Sequence, residues 1–259
     1  MINLKPEYAA KAIRKFLSDA EGPNHRYRSW DHCHIAFMNA RKQESEGKEI
    51  DKDLLSLHLS CYLSSWGMLR NSFLLDRNYR THLGIVNILL DDADYELLWG
   101  FPSNQDDEAL NTENLKKYWT VIKTARDTFT AAYAVDSITD TLVTKILLGT
   151  CGCIPATDRL YKKGLGAFGG TQYFGLNAYA KIVRYYWSSW DEICGHLMGV
   201  SLVSKEDSST PYPPMKLMDM CFWQIGSCIE LHDIGRVGNQ KFYKLPEDEK
   251  YAVLDGLLE

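Results

Sequence analysis

The chain reads as one all-α domain, a multi-helix orthogonal array of about eight to ten helices of unequal length. Three observations predict this. Apolar residues recur at steps of three and four over most of the chain. Alternating apolar and polar runs bounded by Asn-Gly or Asp-Gly turns are nearly missing. No compositional shift divides the 259 residues, which are 45% hydrophobic and carry seven tryptophans and 15 tyrosines scattered through both halves, as one shared core requires.

Pro6 and Glu7 open a first helix with Ala9, Ile13, Phe16 and Leu17 on one face, and Gly22-Pro23 closes it. A second starts near Ser29. The most regular stripe follows Asp51 and Asp53: Leu55, Leu59, Tyr62, Trp66, Leu69 and Phe73 share one face, which predicts a helix reaching Phe73. Leu83, Val86, Leu89 and Leu90 mark a shorter helix, ended by the acidic turn Asp91-Asp92. Ser103 to Glu108 reads as a surface loop, and Asn111 and Thr112 as caps of a helix striped by Leu115, Trp119, Ile122, Ala125, Phe129 and Ala132. Ser137, with Asp140 three residues on, reads as a capping-box-like start for a helix through Leu148, which Cys151-Gly152-Cys153 breaks before Pro155. From Gly175 a long helix carries Leu176, Tyr179, Val183, Tyr186, Trp190 and Ile193 and ends around Gly199. Ser204 to Pro214 holds three of the eight prolines and separates a final pair: a helix around Met215 to Leu231 and a short one started by Pro246. The expected loops of this single 1–259 domain lie near 101–111, 164–174 and 203–214.

The formal charge of −5 and pI near 5.8 exclude a general nucleic-acid coat protein, because attraction to phosphates must come from a local patch. No stretch approaches the roughly 18 apolar residues of a membrane span. Lys5, Glu7, Lys11 and Arg14 stand where a signal peptide needs an apolar run, so a cytoplasmic protein without a membrane partner is expected. Cys61, Cys194, Cys221 and Cys228 fall inside apolar helical patterns, which suits reduced thiols.

Gly164-Leu165-Gly166-Ala167-Phe168-Gly169 spells the dinucleotide-binding G-x-G-x-x-G, but that motif needs a preceding strand. The element before it is helical, so the glycines read as a helix C-cap and loop and no cofactor is expected. Asp31, His32, Cys33 and His34, with His58 and Cys61, supply zinc-type ligands, yet successive helical residues point about 100° apart, and buried core side chains beside Trp30 explain them better. Tyr185, Tyr186, Trp187 and Trp190 exceed what one helix face buries and point to an exposed aromatic surface for a partner.

Two short motifs resemble catalytic families. Glu230-Leu231-His232-Asp233 resembles the His-Asp doublet of HD-type metal phosphohydrolases, which implies a divalent metal on His232 and Asp233 with His196 as the earlier histidine. A helix C-terminus with Gly235 as cap fits the same residues. Arg77-Asn78-Tyr79-Arg80-Thr81-His82 resembles the Arg-x4-His signature of HEPN ribonucleases, which implies that His82 moves a proton while Arg77 holds a phosphate across a dimer interface. A solvated turn is the alternative.

Thr144 to Gly149 followed by Ile154-Pro155-Ala156-Thr157-Asp158-Arg159, with Leu217 to Gly226, is similar to uncharacterised bacterial helical proteins and, more remotely, to helix-hairpin-helix DNA glycosylases. There a helix leads through a proline-containing loop to an aspartate that helps cleave the base-sugar bond. The resemblance makes Asp158 the catalytic candidate, and a glycosylase reading requires it open in a basic cleft near Lys145, Lys162 or Lys163; the position roughly eighteen before it is Asp140, not lysine. Asp158 also suits the N-cap of the helix after Pro155. The expectation is a nucleic-acid-associated or interaction protein that forms a homodimer, with a ribonuclease on Arg77 and His82 or a phosphohydrolase on His232 and Asp233 as the enzymatic alternatives.

Overall fold

The computed structural model describes residues 1–22, 24–99, 112–171 and 173–259. Among them the chain is all-α: ten α-helices and short 3-10 turns, with one isolated bridge between Val203 and Pro211. The helices are α1 (Pro6–Asp19), α2 (Ser29–Ser45), α3 (Lys52–Ser65), α4 (Leu83–Asp91), α5 (Thr112–Tyr133), α6 (Asp140–Gly149), α7 (Arg159–Ala167), α8 (Leu176–His196), α9 (Pro214–His232) and α10 (Glu247–Leu258). None is long and apolar enough to cross a membrane. The expected loop at 101–111, with Ser103 to Glu108 and the cap Asn111, lies outside the described residues, as does Pro23.

Two helices form the centre. Every residue of α6 from Leu142 to Gly149 is buried, and α9 is buried on all sides from Met215 to Gly226, so neither shows the single apolar stripe of a surface helix. Around them pack α1, α7, α8 and α10 against α9 and α2, α3 and α5 against α6, while α4 packs on α3 and α5.

The closest pairing is α7 on α9, and glycine makes it close. A Cβ on Gly164 would overlap the Phe222 carbonyl, and one on Gly226 would overlap the Leu160 carbonyl. The glycine-rich segment therefore begins as helix rather than loop: α7 runs through Ala167, and the chain turns only at Gly169, where φ is +79°. Helix stands on its N-terminal side, where the dinucleotide-binding motif has a strand.

Three other expectations change. The stripe of the third helix stops at Ser65 instead of Phe73, because Gly67 adopts φ +75° and the Met68 and Gly67 amides bond back to the carbonyls of Leu63 and Ser64. The cap of α6 is Thr139, whose hydroxyl accepts the Leu142 amide, not Ser137. The aromatic run of α8 is no exposed surface: Tyr185, Tyr186 and Trp187 are buried because α8 packs on α1, α5 and α9 together. Tyr185 uses its hydroxyl on the Leu4 carbonyl, and Trp190 stacks on Tyr186.

Candidate active site

The two central helices each carry a lysine inside the core. Lys145 on α6 is 3% exposed and Lys216 on α9 is 2% exposed. Charged side chains are buried this completely only when paired, and both are. Lys145 Nζ lies 3.0 Å from Asp158 Oδ2; Lys216 Nζ lies 3.4 Å from Asp219 Oδ2, one helical turn further along α9.

Local chain chemistry explains why Asp158 faces Lys145. Asp158 caps α7, its Oδ1 accepting the Tyr161 amide at 3.0 Å, which leaves Oδ2 for the lysine. The loop that delivers it is clamped from both central helices. Thr144 Oγ1 accepts the Thr157 amide, and Asp219 Oδ1 accepts the Ala156 amide at 3.0 Å. The proline-containing loop thus has its backbone satisfied by side chains, the condition for burying a non-helical segment.

Aromatic rings wall the cluster. Lys145 Nζ sits 4.7 Å from the Trp66 ring centre, and Lys216 Nζ sits 5.0 Å from Trp30, 5.1 Å from Phe16 and 5.6 Å from Trp66. Ring faces attract ammonium groups that water no longer solvates. Further out, Tyr27 lies nearly parallel to both Phe16 and Trp66, with centroids 4.7 and 5.2 Å away. Tyr27 and Trp66 are half-buried, and the Arg26 guanidinium covers both rings. These residues form the side of the cluster nearest solvent.

Burial sets the protonation balance. It pushes the Lys216 ammonium below the usual lysine value against the pull of Asp219, and it raises the Asp219 carboxyl although both lysines oppose it. Two buried polar atoms here have no hydrogen-bond partner among the described residues: Asp31 Oδ1 and Trp66 Nε1. Asp31 is 5% exposed, its field acts on Lys216, and the Tyr212 hydroxyl faces its carboxylate.

The other candidate residues lie elsewhere and are engaged in structure. His82 is buried with Nδ1 2.8 Å from the Tyr133 hydroxyl, and burial lowers its imidazole to about 4. Arg77 donates to the Tyr133 carbonyl. The two thus fasten the end of α5, Arg77 from the surface and His82 from the inside, where it presents no face to solvent. His232 and Asp233 touch at 3.2 Å, but Asp233 Oδ1 also accepts the Phe242 amide and Oδ2 lies 3.5 Å from Lys163. These partners outweigh burial and hold the Asp233 carboxyl below the usual range. His196 ends α8, where its carbonyl accepts Arg14. Among the described residues, no group of three His, Cys, Asp or Glu side chains is arranged to hold a metal ion, so His196, His232 and Asp233 do not converge on one. Cys33 and His34 are buried; His34 bonds the Thr150 carbonyl through Nδ1 and stacks on Trp30.

Of the sequence candidates, Asp158 joins the buried cluster together with Lys145, whereas Lys163 pairs with Glu230 and Asp233 outside it. Lys216, Asp219 and Trp66 were not singled out as site residues, and Asp31 only among the zinc-type ligands. A Lys and an Asp three apart inside the otherwise apolar Met215 to Trp223 was the available signal. In comparisons with known proteins, no family model, no curated protein and no solved structure matches the chain.

Proposed function

We propose that the chain cleaves an N-glycosidic bond, with Lys145 as the attacking amine and Asp158 as its carboxylate partner. The observation that carries this reading is the 3.0 Å contact between Lys145 Nζ and Asp158 Oδ2 inside an aromatic-walled core. A buried ion pair contributes little net stability, so a paired amine and carboxylate inside an aromatic-walled core suit chemistry better than folding. The resemblance of residues 144–159 to the helix, proline loop and aspartate of helix-hairpin-helix glycosylases supports the role of Asp158, whereas Lys145 is assigned from its contact alone.

In the proposed step the Lys145 ammonium gives a proton to Asp158 Oδ2, and the amine so formed bonds to the anomeric carbon as the bond from that carbon to the base nitrogen breaks. The base leaves with the electron pair and takes the proton held by Asp158. The carboxylate so restored faces the positive charge now on the sugar-bound lysine nitrogen and takes a proton from it. A formal charge of −5 leaves little grip on a long phosphate backbone, which favours nucleosides and short or single-stranded nucleic acids over extended duplex.

The test is release of free base, measured by mass spectrometry, from nucleosides and from single-stranded and duplex oligonucleotides carrying a panel of normal and damaged bases. The expected result is release that falls at least about a hundredfold in Lys145→Gln. Absence of release across the whole panel, or release unchanged in Lys145→Gln, overturns the reading.

A further inference from the structure

His34 and Met38, one turn apart on α2, line a pocket of about 390 Å³ that shares no residue with the lysine cluster. Opposite them α8 supplies Tyr186 and Trp190, also one turn apart, whose rings stack 4.7 Å between centres at 25°. The third wall is the segment before α9. The Val203–Pro211 bridge, with amide bonds from Ser204 to the Thr210 carbonyl and from Tyr212 to the Leu202 carbonyl, ties it into a strap. Pro211 and Pro213 of that strap line the pocket, where neither has an N–H to leave unpaired. The volume falls in the range of small-molecule sites, about 300 to 1,000 Å³.

The polar chemistry of this pocket centres on His34. Among the described residues no Lys, Arg, Asp or Glu side chain lines it. The Thr210 hydroxyl donates to Asp207, and the Tyr212 hydroxyl faces the Asp31 carboxylate. His34 is 3% exposed, with one ring face stacked on Trp30 and Nδ1 2.7 Å from the Thr150 carbonyl oxygen. A carbonyl only accepts, so Nδ1 carries the proton. Burial lowers the imidazole to about 4, so the ring is neutral and Nε2 keeps a bare lone pair. Nε2 has no hydrogen-bond partner among the described residues, and the fully enclosed unpaired atoms lie elsewhere. The space it reaches is therefore the pocket that His34 lines. An acceptor this deep costs stability until a donor meets it.

We infer that this pocket binds a neutral aromatic molecule of one or two fused rings with one hydroxyl or ring N–H, a phenol- or indole-type ligand. Its donor meets His34 Nε2 while its ring packs on Tyr186 and Trp190. An ionised ligand loses its hydration against walls that offer no opposite charge, which excludes carboxylates and amines. A ring of the same shape without a donor leaves Nε2 unmet and forfeits about tenfold or more in affinity. Nothing in this assignment depends on the glycosidic reading above.

2-Naphthol, 2-methoxynaphthalene and 2-naphthoate share one ring system and differ in the group offered to His34, so they are the probes. Binding is measured by equilibrium dialysis near neutral pH, where the naphthol keeps its proton and the naphthoate has lost it. The native chain is compared with Met38→Trp and His34→Phe, each checked for native helicity by circular dichroism. The expected result is that the native chain binds 2-naphthol at least about tenfold tighter than either other probe. Met38→Trp, which fills the pocket and keeps His34, abolishes that binding. His34→Phe reduces 2-naphthol to the level of its methyl ether; where this variant unfolds, Met38→Trp and the three probes decide alone. Equal binding of 2-naphthol and its methyl ether, tighter binding of 2-naphthoate, or no binding of 2-naphthol overturns the proposal. So does 2-naphthol binding that Met38→Trp leaves unchanged, or a preference that survives in a folded His34→Phe protein.

Discussion

Lys145 and Lys216 come from helices far apart in the chain, yet their ammonium groups lie 4.7 and 5.6 Å from the centre of one indole, that of Trp66. Like charges this close in a dry interior repel strongly. Asp158 and Asp219 offset that repulsion, one for each lysine, and the aromatic faces add to the balance. The arrangement concentrates two amines, two carboxylates and unpaired polar atoms where an ordinary core would place leucines.

Removing one partner of such a pair is expected to cost more than removing both. Lys216→Met leaves Asp219 buried without its cation and should destabilise the chain by about 3 kcal/mol at neutral pH. The loss should shrink on acidification as Asp219, whose carboxyl burial already raises, takes up a proton. The double variant Lys216→Met with Asp219→Asn keeps an acceptor for the Ala156 amide and should regain most of the stability. Urea denaturation of the three proteins checks this.

Acid should weaken the fold through His34 and His82. Burial lowers both imidazoles to about 4, against 6.5 in the open chain. Between those limits the folded state holds fewer protons than the unfolded state, so stability is full above about pH 6.5 and is lost as pH falls toward 4. Each histidine contributes up to about 3 kcal/mol to that loss. Urea midpoints from pH 7 to pH 4.5 should decline, and His82→Asn should flatten the decline.

Gly164→Ala and Gly226→Ala should each destabilise by about 3 kcal/mol or more, although alanine is the better helix former by about 1 kcal/mol. The added methyl meets backbone carbonyl rather than a yielding side chain. Since the two glycines serve one contact between α7 and α9, the double variant should lose less than the sum of the single losses. Thermal or urea unfolding of the set decides it.

The all-α class and the helix starts were legible because periodicity and local caps encode them: Pro6 begins α1, Asp51 caps α3 and Gly175 caps α8. Helix ends were less legible. The apolar stripe of α3 runs on past its terminus, and only Gly67, which takes a left-handed turn, marks the stop. That one residue decides the role of Trp66, which leaves the stripe at the C-cap and becomes a wall of the lysine cluster. Within the site, Asp158 was legible as an N-cap, because capping is local in sequence. Its pairing with Lys145, thirteen residues earlier, depends on how a clamped loop folds back and has no local signature. Lys216 and Asp31 lie farther apart still, and only the tertiary fold reveals that they share one interior. The burial of the α8 aromatics was misjudged because that helix is covered on more than one side, which periodicity on a single helix does not register.

Borohydride trapping on an oligonucleotide with an abasic site, followed by peptide mapping, tests the central claim most directly. The amine of Lys145 condenses with the sugar aldehyde, expels water to give an imine, and hydride reduces that to a stable secondary amine. The account predicts one adduct, on Lys145, absent from a Lys145→Gln protein that retains native helicity. No adduct, or adducts spread over surface lysines and undiminished in Lys145→Gln, contradicts it.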